Sequence, residues 1–388
     1  MNKSSKHLFF TFIALISLGL LTLYSATSQK INLFTKQLIW VSIAITLCLT
    51  LKKIPFEFWD KYSFFFYIAS ILLLLLTLKF GAKIYGARRW LQIGSLNLQP
   101  SEFAKFSTLL FLSTVCANFQ QINTRLILYS SLICAIPALL VIAQPDLGTS
   151  VFFIIIFISI LHAKGLHILK IFLILSPLIS AFLAKNIYVF VIFLFFIFLL
   201  VFLLKISLFK SLAIIFVNSF FGFVSPLLWN LLRPYQRARI LSFFGLEKNW
   251  QALQSQIAIG SGGFFGKGFL KGTQKGLAFI PKVHTDFIFA GFAEEFGLIG
   301  CILLFGLFFY LFYQMLKIAD LTYDEFSCLF IIGAVFLIFS QLFINIGMAM
   351  NILPVVGVPL PFFSYGGSNF LTLSLLIALT IAISEQTI

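Results

Sequence analysis

Charge is what this chain has least of. Only 10% of its 388 residues are Asp, Glu, Lys or Arg, and 12 of them are acidic. Soluble domains carry about a quarter charged residues, so a soluble globular protein is excluded at once. Histidine is scarce too, with four in all, and His162 and His167 are five apart, off a common helical face, which argues against a metal pair. The five cysteines (Cys48, Cys116, Cys134, Cys301, Cys328) stand singly in or beside apolar segments with no CxxC among them. They read as small apolar packing residues. Gly266-Lys267 is followed by Gly268 rather than Ser or Thr, and position 261 is Ser, so there is no Walker motif.

What the chain has instead is hydrocarbon. It is 61% hydrophobic, with a mean hydropathy of +1.06. Its apolar runs approach the roughly 20 residues that cross a bilayer as helix. Twelve such spans are expected, at residues 8–27, 33–51, 62–79, 102–117, 126–143, 147–163, 166–184, 187–204, 209–230, 293–316, 326–350 and 369–385. The basic start, residues 2–6, followed by an apolar run over 8–24, reads as an uncleaved first span rather than a signal peptide. The expected fold is therefore an all-α polytopic integral membrane protein, a bundle of about 10–12 transmembrane helices forming a single membrane domain over 1–388. An even count puts both termini on one side. The long connections then share the other side: a first outer loop at 80–101, a large outer loop at 231–292 and a Pro/Gly-rich outer loop at 353–368.

The net charge of +15 is partly topological, because Lys and Arg favour cytoplasmic loops. The outer loops are nonetheless rich in Lys83, Arg88, Arg89, Arg233, Arg237, Arg239 and Lys248, then Lys267, Lys271, Lys275 and Lys282. Binding an anion such as phosphate is the natural reading of that excess, with contact to lipid headgroups as the plain alternative. Seven glycines between Gly260 and Gly276 would permit tight turns and let backbone N–H groups approach a phosphate. After Pro281, Thr285 is expected to cap the next helix, which places Asp286 in its first turn. There Asp286 either complements the helix dipole or acts as a general base. Asp286 and Glu294 would then lie near one helical face, about 12 Å apart. In the first loop, Trp90 is an interfacial anchor or a stacking face for a sugar. Ser101 is expected to cap a helix that carries Glu102 and Lys105. Asp146, in Gln144-Pro145-Asp146, breaks two spans and is a candidate site because acids inside membranes are costly.

The blocks ARRW, QPSEFAK, QPDLGTS, YQRARI, QSQIAIGSGGFFGKGFLKGTQ, HTDFIFAGFAEEFG and NIGMAMNILPVVGVPLPFFSYGGS occur in this order along the chain. In that order they resemble the SEDS (shape, elongation, division, sporulation) family of bacterial wall polymerases, and the last block resembles its elongation branch more than its division branch. The resemblance covers nearly the whole chain. It implies a peptidoglycan glycosyltransferase of the bacterial cytoplasmic (inner) membrane, with its active site on the outer face. Such an enzyme polymerises lipid II into glycan strands with inversion, during elongation and shape maintenance. It implies Asp286 as the essential acidic residue of the large outer loop, expected to serve as the general base, and Trp90 as the family's tryptophan of the first outer loop. The expected partners are lipid II, a class B penicillin-binding protein transpeptidase and membrane lipids, with no nucleic acid. Arg88, Arg89, Lys105, Arg237, Arg239 and Lys271 are the candidate cations for the leaving pyrophosphate. Glu102, Asp146 and Glu294 shape the pocket, and His284, Thr285, Ser364 and Tyr365 are further substrate-binding candidates. No cofactor or metal ligand set is identified; a divalent cation could share the charge. The family has ten spans as a rule, so two of the twelve expected here are surplus, placed between Asp146 and Arg233. Two rival readings are a lipid II flippase, which would place coupled ionisable groups near mid-bilayer, and a noncatalytic scaffold for the transpeptidase.

Overall fold

A computed structural model describes residues 2–27, 31–84, 87–94, 96–231, 237, 250–273 and 283–387. All twelve expected spans are helices in it: α1 (Lys3–Ala26), α2 (Ile31–Leu51), α3 (Phe56–Phe80), α4 (Pro100–Asn118), α5 (Thr124–Ala143), α6 (Leu147–Ala163), α7 (Ile168–Leu183), α8 (Ile187–Leu203), α9 (Leu208–Leu231), α11 (Ile288–Leu321), α12 (Glu325–Ala349) and α13 (Gly367–Thr387). Between α9 and α11 lies a shorter helix, α10 (Trp250–Ser261). Among the described residues, eight helices are long and apolar enough to cross a membrane, making this a multi-pass membrane protein. α6, α7 and α8 are shorter, at 17, 16 and 17 residues.

The central post is α13, almost wholly buried and packed on α2, α4 and α1. Around it α4 meets α3, α5, α6 and α12, while α11 packs between α1 and α12. The four helices after Asp146, where the surplus pair is expected, are all formed. α7 and α9 pack mainly on each other and on α8, around a small apolar cluster of their own made by Leu173, Ile197, Leu200 and Val201. A buried polar bridge crosses this group: Ser180 Oγ donates to Asn218 Oδ1 (2.6 Å), and Asn218 Nδ2 donates to Ser176 Oγ (2.9 Å).

Both chain ends meet at one end of the bundle. Asn2 caps α1 by accepting from Ser5 N (2.8 Å), and its Nδ2 donates to Ser384 O (2.6 Å). Lys164 pairs with Glu325 at this same terminal end.

At the opposite, loop end, two departures from the expected architecture appear. Residues 82–98 are not plain loop but a small antiparallel meander: β1 (Ala82–Ile84), β2 (Ala87–Ile93) and β3 (Leu96–Leu98), in the order β1-β2-β3. Arg88 opposes Lys83, Trp90 opposes Ala82 and Leu91 opposes Leu98. The Pro/Gly-rich stretch 353–366, expected on the surface, instead folds back into the bundle. Val358, Leu360, Phe362, Phe363 and Ser364 are all buried. Phe362 packs edge-on to Phe12 (5.3 Å between centroids) and Phe363 edge-on to Phe292 (5.8 Å). Irregular backbone survives at membrane depth only where protein satisfies its polar groups, and here it does. Asn345 Nδ2 donates to Val358 O (2.7 Å), Leu360 N to Ser364 Oγ (2.8 Å) and Gly366 N to Gln37 Oε1 (3.2 Å).

The glycine-rich segment also differs from its expected role. α11 is broken at Gly297 (φ 63°), and residues 262–268 dock into the break. Lys267 N donates to Glu294 O and Gly268 N to Glu295 O, both at 3.0 Å. In return Leu298 N donates to Gly263 O (2.9 Å) and Ile299 N to Phe264 O (3.2 Å). Gly266 (φ 77°) sits so close that a Cβ there would lie 2.1 Å from Glu295 O, and a Cβ on Gly297 would lie 2.3 Å from Gly266 N. These glycines therefore let two backbones touch, and the amides of Lys267 and Gly268 are spent on helix carbonyls rather than offered to a phosphate.

Gly266→Ala should lower the melting midpoint of the detergent-solubilised protein, with a cost of about 1–3 kcal/mol for left-handed strain before the clash is counted. Gly306→Ala, at a helical position with open space around it, should be neutral or slightly stabilising. Equal melting midpoints for the two variants would contradict the docking role of Gly266.

Candidate active site

Asp286 lies in a turn over residues 283–287, and α11 begins only at Ile288. The expected cap at Thr285 is therefore not formed, and Asp286 precedes the helix instead of sharing a face with Glu294. The reason is competition for carbonyls. A helix through 284–286 would need their C=O groups for its own ladder, but outside donors take all three. Tyr365 N donates to His284 O (2.9 Å), Ser364 Oγ to Thr285 O (2.6 Å) and Asn345 Nδ2 to Asp286 O (2.9 Å). The turn is thus strapped down from α12 and from the 364–365 segment, with Asp286 half-buried. The rings of His284 and Tyr365 lie 6.1 Å apart, edge to face, and burial raises the Tyr365 hydroxyl pKa above its ordinary value.

The same segment reaches the first loop. Ser368 Oγ accepts from Gln99 N (2.9 Å), and Gln99 Nε2 donates to Asp146 Oδ2 (3.1 Å). Asp146 caps α6 by accepting from Thr149 N (3.3 Å), and its Oδ1 lies 3.5 Å from Arg89 Nη1. Arg89 also donates to the carbonyls of Gln144 and Pro145, so its guanidinium holds the whole α5–α6 turn. Successive strand residues point to opposite faces, and Arg88 accordingly turns the other way, donating to Lys79 O (3.0 Å) at the end of α3. Trp90 is half-buried on β2. Contacts therefore link Arg89, Asp146, Gln99 and Ser368, and the chain running from Ser368 back to Tyr365 and Ser364 leads to the Asp286 turn.

Glu102 and Lys105 form a pair of their own. Pro100 occupies the first turn of α4, which starts one residue before Ser101, so Ser101 lies inside the helix and Gln99 is the cap residue. Proline suits that position because the first helical N–H has no partner to lose. Lys105 Nζ lies 2.8 Å from Glu102 Oε2 and 4.6 Å from the centre of the Phe152 ring, with only 1% of its side chain exposed. Glu294 is likewise buried, 2.8 Å from Lys267 Nζ, and its Oε1 accepts from Thr273 N and Oγ1, each at 2.8 Å. Beside it Glu295 accepts from Ser25 Oγ of α1 (2.5 Å). Lys271 is exposed. Arg237 donates to Asn230 O (2.7 Å) at the end of α9. Arg239 lies outside the described residues, as do Arg233, Lys248, Lys275 and Lys282. Among the described residues no group of three or more His, Cys, Asp and Glu side chains converges as metal ligands would.

Sequence reasoning passed over Asn345, Gln99, Gln37, Ser368 and Lys267 as individual site residues. Asn345 and Gln37 carried one signal, a buried amide in an otherwise apolar span, which must find a partner. Nothing local indicated which partner.

A model of the FtsW/RodA/SpoVE family, described as "Cell cycle protein", matches residues 5–192 and 168–388. The overlap at 168–192 covers α7 and the start of α8. The chain is 34% identical over 372 residues to the peptidoglycan glycosyltransferase MrdB of Escherichia coli K12, covering 93% of this chain and 88% of that protein. It is 28% identical to the peptidoglycan glycosyltransferase RodA of Treponema pallidum, covering 98% and 97%. Among solved structures, a chain of a peptidoglycan synthase complex that coordinates polymerization and crosslinking aligns with TM-score 0.73 at 25% identity, covering 98% of this chain and 97% of that one. The RodA of Thermus thermophilus aligns with TM-score 0.66 at 24% identity, covering 98% and 96%. With both matches to one family model spanning nearly all its length, and with glycine-broken α11 and the strapped Asp286 turn in place, this chain belongs to the FtsW/RodA/SpoVE (SEDS) family.

Proposed function

We propose that this peptidoglycan glycosyltransferase polymerises lipid II at the loop end of its bundle, with Asp286 as the general base. The observation that carries the reading is the strap. Three separate donors hold the backbone of residues 284–286 out of α11, so the carboxylate is carried by a fixed turn and not by a mobile loop. Asp286 takes the proton from the 4-hydroxyl of the acceptor's N-acetylglucosamine. The oxygen so activated forms a bond to the anomeric carbon of the donor's N-acetylmuramic acid, from the face opposite the breaking bond. Undecaprenyl pyrophosphate leaves with the electron pair, and the new linkage is inverted. Base catalysis of this kind contributes about 10²–10⁴-fold. The remainder comes from orientation and from cations facing the leaving group.

Arg89, with 27% of its side chain exposed and its rear anchored to Asp146, is suited to that second task, with Arg88 and Lys271 beside the solvent. Lys105 is closed off by Glu102 and Phe152, so we assign it to holding α4 against α6. The loop end then faces the outside of the bacterial inner membrane, where lipid-linked disaccharide is presented. A class B penicillin-binding protein would crosslink the emerging strand.

The first experiment is polymerisation of labelled lipid II by the purified protein, with and without its transpeptidase. Asp286→Asn should fold and bind lipid II while losing at least about 10²-fold in turnover; polymer at the wild-type rate would remove Asp286 from the reaction. Arg89→Ala should cost activity more than Arg88→Ala, because it also releases the α5–α6 turn. Equal losses would show that the Asp146 anchor is irrelevant. Glu102→Ala should destabilise the protein by about 3–5 kcal/mol, as expected when a buried cation is left alone. Glu102→Leu combined with Lys105→Met should melt closer to wild type than Glu102→Ala does.

A further inference from the structure

The docked glycine segment does more than fill the break in α11. Its turn exposes two adjacent aromatics, Phe264 (71%) and Phe265 (83%), followed by partly exposed Phe269 and Leu270. The position of this turn relative to the bilayer can be read from α11. Between Glu295 and Lys317 the helix has no charged residue. From Gly297 to Lys317 it rises about 30 Å, which is about the thickness of the hydrocarbon layer. The break at Gly297 therefore falls at the hydrocarbon boundary of the loop end. The hydrogen bonds from Leu298 N to Gly263 O and from Ile299 N to Phe264 O hold the aromatic turn at that level. Directly below it on α11 is an exposed apolar stripe of Leu298, Ile299, Ile302 and Leu303.

We propose that the 262–266 turn is a membrane-seated foot, whose Phe264 and Phe265 insert among the lipids at the boundary between acyl chains and headgroups. Three features identify lipid as the occupant. The two rings continue the lipid-facing stripe of α11. They lie at interfacial depth, the level that aromatic side chains favour. Lys271, exposed and a few residues on, is placed to meet anionic headgroups, whereas Lys267 is already bound to Glu294. The insertion itself rests on geometry alone and holds whatever reaction Asp286 performs.

The test uses the full chain in nanodiscs that contain phosphatidylethanolamine and phosphatidylglycerol. Cys328, the one native cysteine not fully buried, is changed to Ser. Single spin labels are then placed at Phe265→Cys, at Ile302→Cys as a bilayer reference and at Tyr323→Cys, a fully exposed loop position, as an aqueous reference. Power saturation against oxygen and against a water-soluble nickel chelate reads the depth of each label. The proposal requires the Phe265 label to saturate like the Ile302 label, with oxygen favoured over nickel. A Phe265 label that behaves like the Tyr323 label would overturn it. So would a label shielded from both reagents only when a single-span transpeptidase is added, since the surface would then belong to that partner. Loss of Asp286→Asn activity tells nothing about label depth, so the two readings fail separately.

Discussion

Backbone released from a helix at membrane depth has no water to bond, and nearly every unusual feature of this protein stems from that constraint. α11 breaks at Gly297 and α12 gives way to irregular chain after Ala349, and the carbonyls and amides so freed all need partners within the protein. The glycine segment supplies them at the first break and Asn345, Gln37 and Ser364 at the second. The site is assembled as a by-product of this satisfaction. Two side chains that satisfy the 353–366 segment, Asn345 and Ser364, also strap the Asp286 turn, so the two features share hydrogen-bonding groups.

Charge obeys a parallel rule. Three of the acidic residues that could be catalytic, Glu102, Asp146 and Glu294, each sit within reach of a cation. Removing two charges from water costs several kcal/mol each and is offset only by close pairing and additional hydrogen bonds. The pairs also serve connection: Arg89 with Asp146 ties the meander to the α5–α6 turn, and Lys267 with Glu294 ties the glycine segment to α11. Paired in this way, these groups stand as fixed dipoles within the bundle.

The group formed by α7, α8 and α9 stands partly apart, with its own apolar cluster and the Ser176–Asn218–Ser180 bridge. It contributes α9, whose end leads toward Arg237, without joining the packing around α13. Additional helices can enter a bundle in pairs without inverting the orientation of the later spans. The Asp286 turn lies at the same end as the first loop, both tied to the 364–368 segment.

Much was legible in the linear order of residues. Each of the twelve expected runs forms a helix, eight of them long and apolar enough to cross a membrane, because a run of apolar residues is a local property and needs no partner to be recognised. The side on which the loops gather came from counting those spans. The ordered blocks from ARRW to SYGGS marked the family. What the sequence left undecided depended on residues far apart in the chain. Thr285 looked like a cap because nothing nearby shows that Ser364 and Tyr365 take the carbonyls a helix would need. Gly266 looked like a phosphate-binding glycine because its partner, the carbonyl of Glu295, comes from a helix beyond the next loop. Lys105 looked available to substrate because the Phe152 ring that covers it lies on another span. Side-chain type and apolar length are carried by the sequence itself, but which donor satisfies which acceptor is decided only when the helices pack.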